Sequence, residues 1–448
     1  MPAPLRPPIA ALVAAAILLA LPAVAAAAGP RDAQYRAGQV VVHFAADAGP
    51  ATRTAAERAA HAGAPTSVTA DSVVLRVRVV AAAVRTLRAQ PGVLSATPNY
   101  LASVSSGWIP RDPGRSHRRA GWEALQWNFL PGTGVDAPDA WLHLMNAGRP
   151  GGKGVVVAVV DTGVAYATHG RFRRSPDFRR VRFVPGRDFV ANDRRPSDEN
   201  GHGTHVAGTI AETTDNGIGV TGLAYRAKIM PIRVLDSAGN GDSATIARGI
   251  RWAADHGAQV INLSFEFGSN VTRWDIPDII SALRHARRKG VLVIGAAGNG
   301  KEPVAYPARS TFVMSVGATT KDGCKADYSD TGSRLDIVAP GGGDDAELPQ
   351  PNCDPAANGP SIYQMTFTTS VRRFGLPGGY FGTSMAAPHV SAAAALVIAS
   401  GILGPKPTPD AVAARLEHTA TDLGTPGRDD DYGWGLLNAA RATDPAVQ

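Results

Sequence analysis

Cysteine is nearly absent: two residues in 448, Cys324 and Cys353. A small disulfide-stapled scaffold is thereby excluded, and two thiols with no histidine nearby make a poor metal site. Aromatic residues are sparse at 6% and charged ones moderate at 19%, yet 44% of the chain is hydrophobic. That balance excludes a disordered or fibrous protein and gives room for two or three folded units. Cations exceed anions by seven, but they are scattered. No basic stripe interleaved with aromatics and no nucleic-acid motif is present, so nucleic acid is not an expected partner. After residue 28 no stretch reads as apolar enough to span a bilayer. Internal repeats and long low-complexity tracts are also missing.

Residues 1–28 carry the lone cation Arg6, the apolar run from Ile9 to Ala25 and a small-residue end, Ala26-Ala27-Ala28. This order predicts a cleaved secretory signal. A retained anchor is the alternative, because Ile9 to Ala28 is about the 20 residues a bilayer requires. Export in turn suits a disulfide between Cys324 and Cys353 in an oxidising compartment.

The segment that follows reads as a small α+β unit. Gln39 to Phe44 alternates like a strand, Ala51 to Ala62 suits a helix, and Ser67 to Ala70 and Ser72 to Val79 suit two further strands. A helix from Ala81 to Ala89 stops at Pro91-Gly92, and Val93 to Thr97 closes a β-α-β-β-α-β order, that of a ferredoxin-like unit. Ala102 to Gly121 has no hydrophobic period and is expected to be an exposed linker where the chain is cut, with further trimming conceivable at Arg118-Arg119.

From Gly154 the texture changes. Val155 to Val160 and Val291 to Ile294 are continuous apolar runs, as in strands buried on both faces, and predict an α/β parallel sheet. Lys228 to Val234, Gln259 to Leu263 and Thr311 to Val316 fit the same sheet. Helices are predicted at His202–Glu212, Ser243–His256, Pro277–Lys289, Ser384–Ser400 and Pro409–Thr419.

Chemistry in such sheets gathers beyond the carboxyl ends of the strands. Asp161-Thr162-Gly163 closes one apolar run, where a carboxylate could also merely cap a turn. His202 opens a glycine-rich helix, Gly201-His202-Gly203-Thr204-His205, a firm position for a general base. His202 and His205 lack the carboxylate or thiol that would complete a metal site. Ser384 enters an alanine-rich helix, where unpaired N–H groups and the helix dipole favour an oxyanion; a plain N-cap is the other reading. Asn299, in Gly298-Asn299-Gly300 after a buried strand, offers a side-chain N–H donor.

Together, Asp161-Thr162-Gly163, His202-Gly203-Thr204-His205-Val206-Ala207-Gly208 and Gly382-Thr383-Ser384-Met385-Ala386-Ala387-Pro388-His389 resemble the three signatures of subtilisin-like serine proteases. They also stand in that family's order, Asp, His, Ser, which separates it from chymotrypsin-like enzymes and α/β-hydrolases. The resemblance runs from about Gln126 to Ala442. It implies a three-layer fold with a mostly parallel sheet over 126–448, a prodomain over 29–103 acting as chaperone and inhibitor, and a maturation region over 104–125. It makes Ser384 the nucleophile, His202 the base, Asp161 its orienting carboxylate, and Asn299 with the Ser384 N–H the oxyanion donors. His205 and His389 match structural positions.

The resemblance further implies that a peptide pairs beside Asn262-Leu263-Ser264-Phe265-Glu266, with Gly298 and Ala305 also lining the cleft. Glu266 stands where the family usually has glycine, and a carboxylate at a pocket rim is expected to favour basic or polar side chains. No cofactor is expected for catalysis. A structural calcium ion is implied near Gln126, Asp177, Thr214, Asn216, Ile218 and Val220, unless Asp215 to Val220 is simply a turn held by Asn216 and two glycines. The expected product is a monomeric, secreted endopeptidase acting on protein or peptide substrates. Residues 342–379 read as an insertion with no evident function.

Overall fold

The computed structural model describes residues 35–100, 107–116, 120–356 and 358–447. The expected signal at 1–28 and the pair Arg118-Arg119 lie outside the described residues. The chain divides into two compact units, with the boundary after Val104.

In the first unit β1 (Tyr35–Phe44) is followed by α1 (Pro50–Ala59), β2 (Thr66–Ser67), β3 (Ser72–Arg76), α2 (Val80–Arg88) and β4 (Val93–Tyr100). The antiparallel sheet has the order β2-β3-β1-β4. Alternation explains β1: Val40, Val42 and Phe44 point inward, where they meet Leu75, Val84, Leu87 and Ala96. The expected β-α-β-β-α-β unit is therefore present, its weak extra strand being the two-residue β2.

The second unit holds a parallel sheet in the order β12-β11-β10-β9-β5-β8-β6. Its strands are β5 (Val156–Asp161), β6 (Arg182–Phe183), β7 (Arg187–Asp188, beside β8), β8 (Lys228–Arg233), β9 (Val260–Leu263), β10 (Leu292–Ala296), β11 (Met314–Thr319) and β12 (Ile337–Pro340). Successive residues of β5 serve opposite layers. Val157 and Val159 join α3 (Ala137–Asn146), α4 (His202–Ala211) and α7 (Thr383–Ser400), while Ala158 and Val160 join α5 (Ser243–Asp255) and α6 (Pro277–Arg288). This two-sided burial is why the strands read as unbroken apolar runs. The chain pairs β8 on one side of β5 and then β9 on the other, so the strand order reverses at β5 and opens a crevice beyond Asp161.

α7 is long and apolar enough to cross a membrane, contrary to the sequence reading, but it is buried in this core and packs between the sheet and α8 (Pro409–His418). Two further elements escape the periodicity argument. α9 (Ala439–Thr443) is short, and the hairpin β13 (Thr366–Ser370) and β14 (Arg373–Gly375) lies within the insertion. Cys324 and Cys353 are bonded, with Cα atoms 5.2 Å apart, fastening the insertion to the turn after β11.

The expected exposed linker is in part not exposed. Pro110, Asp112 and Trp122 are buried: the indole of Trp122 donates to the Pro110 carbonyl at 3.0 Å, and Trp108 packs edge-on to Trp141 at 5.6 Å. Residues 107–116 thus belong to the second unit, because their few apolar and acidic side chains have dedicated partners there.

Candidate active site

Asp161 ends β5 and His202 begins α4. Gly203 allows them to meet, since a Cβ there would stand 2.2 Å from the Gly163 carbonyl oxygen. His202 Nδ1 lies 2.8 Å from Asp161 Oδ1, which also accepts the Thr162 N–H at 2.7 Å. Asp161 is fully buried and its Oδ2 has no hydrogen-bond partner among the described residues, so the carboxylate charge is left to act on the imidazole. The His202 side chain is 24% exposed, so it is the member of the pair that can face a ligand.

A second buried acid, not singled out from sequence, locks this corner. Asp198 accepts from the N–H groups of Asn200, Gly201 and Thr204 and from the hydroxyls of Thr204 and Thr162. Thr162 in turn accepts from Gly203 N at 3.0 Å, tying strand end to helix start. Burial raises the Asp198 pKa against the pull of those bonds. For His202, burial is the largest influence and lowers the pKa, but the charge and hydrogen bond of Asp161, with Asp198 behind, raise it further, and the net shift is upward from 6.5.

Ser384 stands in the first turn of α7, after Gly382. Its hydroxyl donates to the Ser264 carbonyl at 3.0 Å. Ser264 directly follows β9, as Asp161 ends β5, and the register pairs Val160 with Leu263; the two sites are neighbours across about 4.8 Å of sheet. Asp161, His202 and Ser384 therefore share one sheet edge. Pro388, the sixth helical residue, has no N–H to give to the Ser384 carbonyl, and the Ser264 hydroxyl fills that role at 2.9 Å. Leaving such a carbonyl unpaired would cost about 1–3 kcal/mol. Asn262 and Ser391 complete the backing, with Ser391 Oγ donating to Asn262 Oδ1 and Asn262 Nδ2 to Ser264 Oγ, both at 2.8 Å.

Asn299 Oδ1 accepts from the Thr383 N–H at 2.9 Å and the Thr383 hydroxyl at 3.1 Å, which orients the amide and leaves its NH₂ as the outward pole. A Cβ on Gly382 would be 3.4 Å from Asn299 Oδ1 and 3.8 Å from both Asn299 Nδ2 and Ser384 N, so the amide and the Ser384 N–H lie beside the same glycine. Phe265 and Glu266 form no backbone hydrogen bond among the described residues, a free edge for an added strand. Gly298 and Ala305 lie across from it, linked by Phe267 N to Tyr306 O at 2.7 Å and Ala305 N to Ala297 O at 2.7 Å.

His205 and His389 have structural surroundings. His205 donates to the Ile362 carbonyl at 3.0 Å, stacks on Tyr380, and is pushed by burial down to about 3. His389 bridges the Met385 carbonyl and Asn128 and is pushed by burial to about 4. The insertion thus has a mechanical role: besides Ile362, Thr366 Oγ1 donates to the Gly201 carbonyl at 2.6 Å, bracing the start of α4.

Gln126, Asp177 and the loop 214–220 do come together, and the side-chain oxygens of Gln126, Asp177 and Asn216 accept from nearby N–H groups. Gln126 Oε1 accepts from Thr221 N, Asp177 from Asn216 Nδ2 and Val220 N, and Asn216 Oδ1 from Ile218 N; Thr214 Oγ1 pairs with Thr221 Oγ1. Asp112 accepts the N–H groups of Asp215, Asn216 and Gly217 from outside. As arranged, these bonds suit a turn, while the backbone carbonyls of Thr214, Ile218 and Val220 accept no hydrogen bond among the described residues and are of the oxygen type that calcium takes.

Residues 152–435 match the Subtilase family, and residues 22–99 match the fervidolysin N-terminal prodomain. The thermostable alkaline protease of Halalkalibacterium halodurans is 38% identical over 293 residues, 65% of this chain and 68% of that protein. Subtilisin Savinase of Lederbergia lenta is 38% identical over 293 residues, 65% of this chain and 91% of that protein. Among solved structures, a protease of Pseudoalteromonas arctica superposes with a TM-score of 0.58 at 30% identity, covering 76% of this chain and all of that one.

Two outcomes are expected. Because the folded His202 pKa is raised, its pairing stabilises the protein fully below pH 6.5, and this contribution is lost as pH rises through the higher folded value. An NMR titration should place the imidazole above 6.5 and Asp161→Asn should bring it below; equal values in both proteins would contradict the pairing. Asp112→Ala should lower the melting temperature, because it removes the acceptor of three loop N–H groups; a chelator that leaves the melting temperature unchanged supports the turn, and a large loss on chelation supports calcium.

Proposed function

Since the chain belongs to the subtilase family and is a subtilisin-like serine protease with an N-terminal prodomain, we propose that Asp161, His202 and Ser384 are its catalytic triad in a secreted, self-maturing endopeptidase. The observation that carries this reading is the 2.8 Å bond between the buried Asp161 carboxylate and His202 Nδ1, beside Ser384 at one sheet edge.

Subtilases need no cofactor for catalysis. A peptide lies along Ser264 to Glu266, presenting its carbonyl carbon to Ser384. The Ser384 hydroxyl leaves the Ser264 carbonyl and passes its proton to the Nε2 of neutral His202 as Oγ attacks. The oxyanion is received by the Ser384 N–H and the Asn299 amide, donors fixed before the reaction begins. Asp161 stabilises the imidazolium, which then protonates the leaving amine. Water attacks the acyl-enzyme by the same route in reverse and frees the acid.

Residues 29–103 are removed in this reading, and residues 1–28 direct export. The maturation cut falls before Gly107 instead of at Arg118-Arg119. Loss of Asp112 would orphan three loop N–H groups, each at a cost of about 1–3 kcal/mol.

N-terminal sequencing of secreted protein should give a start no later than Gly107. Ser384→Ala should accumulate as precursor and lose peptidase activity by about 10⁶-fold. A start beyond Asp112 would overturn the boundary, and a processed, active Ser384→Ala protein would overturn the triad.

A further inference from the structure

The wall of the cleft beside the oxyanion donors carries acids from two separate parts of the chain. Glu266, after β9, accepts the Asn299 N–H on Oε2 at 2.8 Å, and its Oε1 has no hydrogen-bond partner among the described residues. Asp330 lies 64 positions later and is 3% exposed; its Oδ1 accepts the N–H groups of Gly300 at 2.8 Å and Glu302 at 2.9 Å, and its own N–H returns to the Gly298 carbonyl at 3.0 Å. Both carboxylates converge on Gly298, the residue before the oxyanion asparagine. A Cβ there would sit 2.1 Å from Asp330 Oδ2 and 2.5 Å from Glu266 Oε2, so only glycine leaves space between them.

Among the described residues no cation pairs with either carboxylate. Lys301, in the same loop, is turned to Asp327 at 3.0 Å. Burial, followed by the charge of Asp330, holds the Glu266 carboxyl above its ordinary range, and burial does the same for Asp330, with Glu302 adding to it. Two acids held this way are relieved by a cationic ligand, and a guanidinium can meet carboxylates through paired hydrogen bonds. Phe265 and Ala305 nearby can accept the methylene stem of such a side chain.

We infer that Glu266 and Asp330 form the pocket for the substrate residue immediately before the scissile bond and select arginine or lysine there. This rests on the peptidase reading above. The charge on Glu266 alone suggests a preference; the buried partner Asp330, aimed at the same wall, turns the rim into a two-sided cation receptor.

The test uses the mature enzyme and peptide anilides that differ only at that residue, Arg, Lys, Phe, Leu or Glu, compared by kcat/KM. Arginine and lysine should exceed phenylalanine by about tenfold or more, with glutamate lowest. Glu266→Gln and Asp330→Asn should each reduce the Arg-to-Phe ratio by about tenfold, and Glu266→Arg should place Glu above Arg. If Asp330→Asn fails to fold, the two Glu266 variants decide. Phenylalanine or leucine outranking arginine in the unaltered enzyme overturns the specificity and leaves the peptidase reading standing. No cleavage of any peptide, together with no labelling by a fluorophosphonate, overturns both.

Discussion

A buried carboxylate facing a largely buried imidazole is the constraint around which the second unit is organised. Asp161 has no solvent, and one of its oxygens has no donor among the described residues. An unpaired buried charge is costly, and here His202 is its partner. The surroundings serve to keep the two together: glycine at position 203 permits the approach, and Asp198 with Thr162 binds the strand end to the first turn of the helix. Because α4 is tied to the strand end, the imidazole keeps Nδ1 on the carboxylate.

Ser384 is held by a related set of hydrogen bonds. Pro388 denies the Ser384 carbonyl its helical donor, and the hydroxyl of Ser264 replaces it while the Ser264 carbonyl receives the Ser384 hydroxyl. The segment after β9 and the first turn of α7 are thereby joined through one residue, Ser264. The insertion braces α4 from the opposite side through Ile362 and Thr366, and the cystine anchors that insertion near β11.

Much of this was legible in the sequence because it depends on local pattern. Strands buried on both faces leave unbroken apolar runs, so β5, β8, β9 and β10 could be read, and the residue ending β5 stood out. Signatures around Asp161, His202 and Ser384 are contiguous and therefore visible. What escaped depends on distant partners. Asp198 looks like one more loop acid until five donors gather on it. Asp112 sits in a stretch without hydrophobic period, and only contact with residues 215–217 gives it a role. Asp330 and Glu266 are far apart in sequence and meet only through the fold.

The central claim is that Asp161, His202 and Ser384 act as one unit. Fluorophosphonate labelling followed by peptide mapping tests it most directly, on the mature protein and on a His202→Ala variant whose circular dichroism matches it. The account predicts stoichiometric modification of Ser384 alone in the first and at most a trace in the second. Equal labelling of Ser384 in both, or modification at a different serine, would contradict it.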